Sequence, residues 1–331
     1  MLTRSLPPAL ALLLLLCFSC ATRRTEVARV GEWETVETAT KPVARHEAAF
    51  VAVGDRYYLL GGRGIRPVSI YDTRTRQWTE GARPPVEIHH FQPVVYGGEV
   101  YLLGAMTGGY PGETPLPHVY IYSPATDSWR QGHEIPADRR RGGAGAVLHE
   151  GLIYLVAGIR DGHRGDHKPW LDAYDPATGE WTRLPDAPRP RDHFQAAVVD
   201  GKLYAAAGRT TVAATNPFAN TIGAVDVYDL ASQQWTTLEE EIPTRRAGTA
   251  AIGLPGQLIV IGGESDTQEL AHAEVEALDV SSGQWRTLPP LVRGRHGTGI
   301  VHDDGHLLMA SGCGRRGGEP ELADMIRAAV R

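Results

Sequence analysis

Arginine recurs in this chain at Arg45, Arg141, Arg191, Arg246 and Arg295. Each stands thirteen residues before a large side chain: Tyr58, Tyr154, Tyr204, Ile259 and Leu308. A sixth position in the series, thirteen before Tyr101, is Ile88. Imidazoles follow three of the six, as His46, His89 and His296. A guanidinium is a planar fork of five donors that matches a carboxylate, so arginines brought to one place would hold an anionic ligand. The three imidazoles, with Asp192 and Glu264, could also move protons, but spacing alone selects no acid–base pair, and no catalytic residue is assigned.

Other chemistry is weaker. The stretch 161–167 (DGHRGDH) is the densest histidine cluster, yet it has no recognised ligand spacing, and a Gly-rich loop is expected to be solvated. No metal or cofactor site is expected. There is no Gly-x-Ser-x-Gly elbow, and no glycine pair opens a helix in the manner of a dinucleotide fingerprint. Glu239, Glu240 and Glu241 read as a solvated turn. The cysteines are Cys17, Cys20 and Cys313, so a chain processed at its N-terminus keeps Cys313 as a lone, small packing residue without a disulfide.

The elements that must position these residues come from a repeat. Tryptophans fall at Trp33, Trp78, Trp129, Trp181, Trp235 and Trp285, at a period near fifty. Five follow a large residue by seven positions: Tyr71, Tyr122, Tyr174, Tyr228 and Leu278. The gaps between hold turn residues such as those at 175–180 and 229–234, so each unit ends in a β-hairpin. A second hairpin opens each unit, its inner strand a short apolar run closed by small residues, as in YYLLGG (57–62) or LIVIGG (258–263). Four short strands per unit at a fixed period imply a radial array of blades. The last unit lacks a Trp-bearing strand, and residues 30–36 around Trp33 supply one, closing the ring and removing open edges.

This pattern resembles the kelch repeat over nearly the whole chain: Gly61-Gly62 with Tyr71 and Trp78, Gly262-Gly263 with Leu278 and Trp285. The resemblance implies an all-β, six-bladed kelch-type β-propeller with four antiparallel strands per blade, closed by an N-terminal strand. Its repeats are placed at about 45–80, 88–131, 141–184, 191–238, 245–288, and 295–331 plus 27–37, within one domain spanning 21–331. In such a ring the first strands line the central channel and their starts share one mouth. The polar loops 107–117, 160–169, 209–223, 264–273 and 314–322 open there too. The expected ligand-binding set is therefore Arg45, His46, His89, Arg141, Arg191, Arg246, Arg295 and His296. The family's own use of the arginine, tying neighbouring blades through backbone carbonyls, is the competing role.

Lys and Arg total 33 against 39 Asp and Glu, for a net charge of −6, which disfavours a general nucleic-acid binder. Residues 9–18 (ALALLLLLCF) are too short an apolar run to span a bilayer but suit a signal peptide, placed at 1–20. Ser19-Cys20-Ala21 resembles the end of a bacterial lipobox, making Cys20 the expected lipidated residue, although Cys17 stands where such motifs carry Leu. Cleavage after Ala21 is the competing site. The protein is thus expected to be exported, as an outer-membrane or periplasm-facing lipoprotein or else secreted, touching membrane only through its lipid. The expected function is an envelope-anchored binding module for a protein, peptide or anionic glycan on the loop face. The alternative is an enzyme similar to the exported kelch-propeller N-acetylneuraminate epimerases.

Overall fold

A computed structural model describes residues 27–331. Cys20 and the rest of the expected signal peptide lie outside them. Among the described residues, regular structure is almost entirely β; one 3-10 turn, Gly162–Arg164, is the only helical element.

Six four-stranded antiparallel sheets form the blades of a propeller. Blade 1 runs Ala48–Val53, Arg56–Gly61, Ser69–Asp72 and Gln77–Glu80, in that spatial order. Blades 2 to 5 repeat the order, and blade 6 consists of Val301–Asp303, His306–Ala310, Met325–Val330 and, as its outer strand, Val30–Thr35. The closing strand pairs Trp33 with Ala328 and Thr35 with Ile326. The first and last strands of the described residues are therefore fastened in a single sheet, as the repeat pattern predicts.

Strand spacing explains the Tyr–Trp interval of seven. Each four-residue turn places the pair opposite one another, as Tyr71 and Trp78 or Tyr174 and Trp181, with rings 5.2 and 4.7 Å apart. The tryptophans lie on outer strands, and Trp129, Trp181, Trp235 and Trp285 are half-buried rather than enclosed. Trp129 and Trp235 each donate an indole N–H to the preceding blade, at Ala82 O and Pro185 O. The dense apolar packing lies further in, where adjoining blades interleave residues such as Leu60 with Leu102 and Ile259 with Met309.

The glycine that follows the second strand in five of the six blades, Ala105 standing in the other, has a steric cause. Gly62, Gly158, Gly208, Gly263 and Gly312 hold φ between 88° and 120°. A Cβ there would sit 2.7–2.9 Å from the carbonyl oxygen of the residue after the arginine-series position of the same blade. Their N–H groups donate to the next blade, Gly62 to Ile88 O and Gly312 to Arg45 O.

Candidate functional site

The five arginines do not crowd the channel mouth with free guanidinium groups. Each is 0–1% exposed and hydrogen-bonded inside its own blade, with the Arg295 Nε alone left unpaired among their buried donors. Arg45, Arg141, Arg191, Arg246 and Arg295 all donate to the carbonyl sixteen residues on, at Gly61, Ala157, Ala207, Gly262 and Ser311. Acids on the third strand or just before it complete four of them: Asp172 for Arg141, Asp226 for Arg191, Glu276 for Arg246 and Asp324 for Arg295. Burial lowers the Arg141 and Arg191 pKa to about 10, with those carboxylates opposing it. The ring braces the first strand of each blade to the second and third. The ties between blades run through the backbone carbonyl at the arginine position, not through the guanidinium.

Two residues past each member of the series, the chain reaches the axis. Glu47, His90, Gly143, His193, Gly248 and Gly297 all adopt a left-handed conformation, with φ of 53–64°. Their peptide groups link in sequence, for example Gly143 N to His90 O at 2.8 Å and His193 N to Gly143 O at 3.0 Å, and Ala48 N to Gly297 O completes the circuit. Three blades use glycine, which accepts this geometry freely. The other three hold a carboxylate and two imidazoles there, in a backbone state that L-residues enter at a cost of about 1–2 kcal/mol.

Above this ring opens a cavity of about 520 Å³. Glu47 and His90 form its floor, His46, Arg63, His163, Arg209, Glu264 and His296 its walls, and Tyr110 and Phe218 its aromatic sides. A larger groove of about 920 Å³ runs off the axis beside Leu270 and Val292, but it gathers fewer titratable groups.

The expected histidines divide. His46 lines the cavity and bonds Glu321 at 2.8 Å. His296 lines it too, 3.4 Å from Glu264 and 2.8 Å from Arg315 O. His89 is buried behind it, meeting Gly108 O at 3.0 Å and His90 Nδ1 at 2.6 Å. Burial opposes charge on His296, but Glu264, Cys313 and Glu47 together outweigh it and raise the pKa to about 9. Burial likewise opposes ionisation of Glu264, and His296 and Arg209 overcome it, holding the pKa near 2.

The loop 161–167 is solvated at Asp161, Arg164 and Asp166, as expected, but not at His163. Its backbone turns inward, leaving His163 5% exposed with Nδ1 on Glu113 Oε2 at 3.0 Å and Nε2 on His193 Nε2 at 3.1 Å. His167 meets the buried Asp192 at 3.1 Å. Asp192 also takes the His193 Nδ1–H and Thr211 N–H, the latter at 3.0 Å. His90 packs on both rings, with centroids 5.1 and 4.8 Å away. Glu47, Arg63, His90, His163, His193 and Arg209 were invisible to the arginine count. The signal for three of them was present: aligning the repeats two places past the arginine shows Gly in three units and Glu47, His90 and His193 in the others.

Six blades of this topology, with glycines closing the inner strands and Trp on the outer ones, define a kelch-type propeller with its polar cavity on the axis. Similarity to known proteins agrees. A family profile described as Attractin/LZTR1 beta-propeller matches residues 26–265, and the Kelch motif matches 245–292. The chain belongs to the kelch-repeat propeller family. It is 30% identical over 324 residues to Kelch-like protein terF of Aspergillus terreus, covering 91% of this chain and 69% of that one. Human Kelch-like protein 23 is 26% identical over 78% of this chain, which spans only 44% of the human protein. A Thlaspi arvense protein named N-(sulfonatooxy)prop-2-enimidothioate sulfolyase is 26% identical, covering 73% of this chain and 77% of that one. A solved structure titled Structure of YjhT shares the fold, with a TM-score of 0.74 at 18% identity, over 89% of this chain and 99% of that one.

Proposed function

We propose that the protein is an envelope-anchored binding module that takes a small, oxygen-rich, anion-bearing ligand, of sugar-acid size, into the axial cavity. The observation that carries this reading is the contrast between two sets of arginines. The five of the repeat are enclosed and turned onto their own blades, away from the cavity. Arg63 and Arg209 face the cavity with donors to spare: Arg63 engages Glu113 through Nη2 alone, at 2.6 Å, and Arg209 engages Thr211 and Glu264 through Nε and Nη1. The volume falls in the usual range for small-molecule sites, roughly 300–1,000 Å³, and Tyr110 and Phe218 add aromatic surface to its lining. The sulfolyase relative is named for an anionic compound, which supports a ligand of this charge.

Proton transfer is less well served. Glu264 and His296 hold one another in their charged forms, lowering the one pKa and raising the other, so the pair suits holding a ligand better than exchanging protons with one.

The test is thermal melting of the processed protein against sialic acids, uronic acids and their neutral counterparts. A native-state ligand raises the melting temperature by mass action. The acids should stabilise the wild type and leave Arg63→Ala unmoved, whereas Arg183→Ala, on an outer strand, should respond like wild type. Equal shifts in Arg63→Ala would place the ligand elsewhere, and no shift with any acid would end the sugar-acid reading. Anchoring is tested separately: Cys20→Ser should move the protein from the membrane fraction to the soluble one, and unchanged partitioning would favour plain secretion.

A further inference from the structure

We propose that His90, His163 and His193 form a three-imidazole site for one divalent transition-metal ion, zinc by preference, at the floor of the axial cavity. One ring nitrogen from each lies within 4.8 Å of the other two, and all three residues are buried. The inference concerns these side chains alone and does not rest on the sugar-acid reading.

Tautomers carry the case. Gly108 O can only accept, so the His89 Nε2 that meets it at 3.0 Å is the donor. The neutral ring of His89 then presents a lone pair at Nδ1, and His90 must donate its Nδ1–H across the 2.6 Å contact. That leaves the lone pair of His90 on Nε2. It faces a carboxylate oxygen, Glu47 Oε2 at 3.5 Å, which is also an acceptor. On His163 and His193 the Nδ1 positions face Glu113 and Asp192. Their Nε2 atoms therefore confront each other at 3.1 Å. Two such nitrogens can stay that close only around a shared cation, either a proton or a metal ion.

The surroundings match a metal site on a second count. Metal-binding imidazoles characteristically donate their other N–H to a carboxylate or carbonyl, which fixes the ring and raises its basicity. His163 has Glu113, His193 has Asp192, and His90 reaches Gly108 O through His89. Ligands at about 2.0–2.1 Å from a tetrahedral ion stand roughly 3.3 Å apart, close to the His163–His193 separation, and His90 needs a further approach of roughly 1–2 Å. Imidazole donors favour zinc, copper, nickel and iron over magnesium or calcium. His90 and His163 border the cavity, so a fourth position opens toward it for water or an oxygen donor of the ligand.

The experiment uses the processed full-length protein, stripped with chelator and titrated with Zn²⁺ calorimetrically and with Co²⁺ by visible absorption. One ion per chain with micromolar or tighter affinity is expected, with a Co²⁺ spectrum of low coordination number. His163→Ala should weaken binding at least 100-fold, and Glu113→Gln, which leaves all three imidazoles in place, about 10- to 100-fold. His90→Gly keeps the left-handed backbone accessible, so it serves if His163→Ala does not fold. Binding below a tenth of an ion per chain would overturn the proposal. So would undiminished Zn²⁺ affinity in a folded His163→Ala or His90→Gly protein, which would place the ion elsewhere.

Discussion

Arg141 offers the sharpest separation of scaffold from site. Its side chain donates to Ala157 O at 2.6 Å, Leu155 O at 2.8 Å and Arg139 O at 2.8 Å, and it pairs with Asp172 at 2.8 Å. Arg141→Ala would strand three carbonyls and weaken the pairing of a carboxylate that is 1% exposed. Breaking a buried pair by removing one partner costs about 3–5 kcal/mol. Asp172 keeps Arg139 at 2.9 Å, which argues for the lower half of that range, about 3–4 kcal/mol. Unfolding entropy near 2.1 cal/mol/K per residue amounts to roughly 0.6 kcal/mol/K for a domain of this size, so the melting temperature should fall by about 5–7 °C.

Differential scanning calorimetry of Arg141→Ala beside Arg63→Ala would decide the matter. The first should melt early and bind any cavity ligand normally once folded; the second should melt within about 2 °C of wild type and lose the ligand. Arg63 is partly exposed, and its buried partner Glu113 keeps His163 at 3.0 Å when the guanidinium is removed, so less stability hangs on it than on Arg141. An Arg141→Ala protein that melts like wild type but loses ligand would refute the assignment of the ring to scaffold.

Three further outcomes follow from the same geometry. His90→Gly should be more stable than His90→Ala by about 1 kcal/mol, reversing the usual order, because φ there is 54°; equal urea midpoints would contradict the strain. Deleting residues 27–37 removes Trp33, 4% exposed, and bares the blade 6 edge, so melting should fall by more than about 8 °C with dimers or aggregates by light scattering; a monomer of wild-type stability would refute closure. His296, its pKa raised above the free value of 6.5 to about 9, lends stability that is complete below pH 6.5 and is lost as pH climbs through 9, about 3 kcal/mol in all; His296→Gln should flatten that alkaline decline, and an unchanged pH profile would refute the pairing with Glu264.

The architecture was legible because each blade repeats the same physical solution. Trp seven residues after Tyr is a cross-strand pair, and the small residue closing each inner strand is a steric demand, so six copies in register left little freedom. The arginines were legible as a set but not as to role. A guanidinium suits a carboxylate ligand and a ladder of backbone carbonyls equally, and only the sixteen-residue reach to Gly61, Ala157 and their counterparts distinguishes the two. The loop 161–167 misled for a related reason. Its glycines suggest solvent, whereas here they let the chain fold back so that His163 reaches Glu113 and His193.

Repetition and chemistry pull against each other in this fold. Whatever the blades share must serve the ring, so the arginine brace and the strand-closing glycines, each present in five blades, and the outer tryptophans are spoken for. Chemistry can enter only where a blade departs from its siblings. The axial position shows this directly: closure asks for a left-handed residue six times, glycine answers at 143, 248 and 297, and Glu47, His90 and His193 accept strain instead. Backbone strain of this kind persists where the surrounding structure over-determines it, and the linked peptide circuit supplies that constraint here. Blade 2 departs furthest, with Ile88 for the arginine and His89 and His90 after it, and it abuts blade 3, whose loop carries His163. In a propeller of this kind the place to look for function is therefore the repeat position where glycine is preferred and a functional side chain stands in its place.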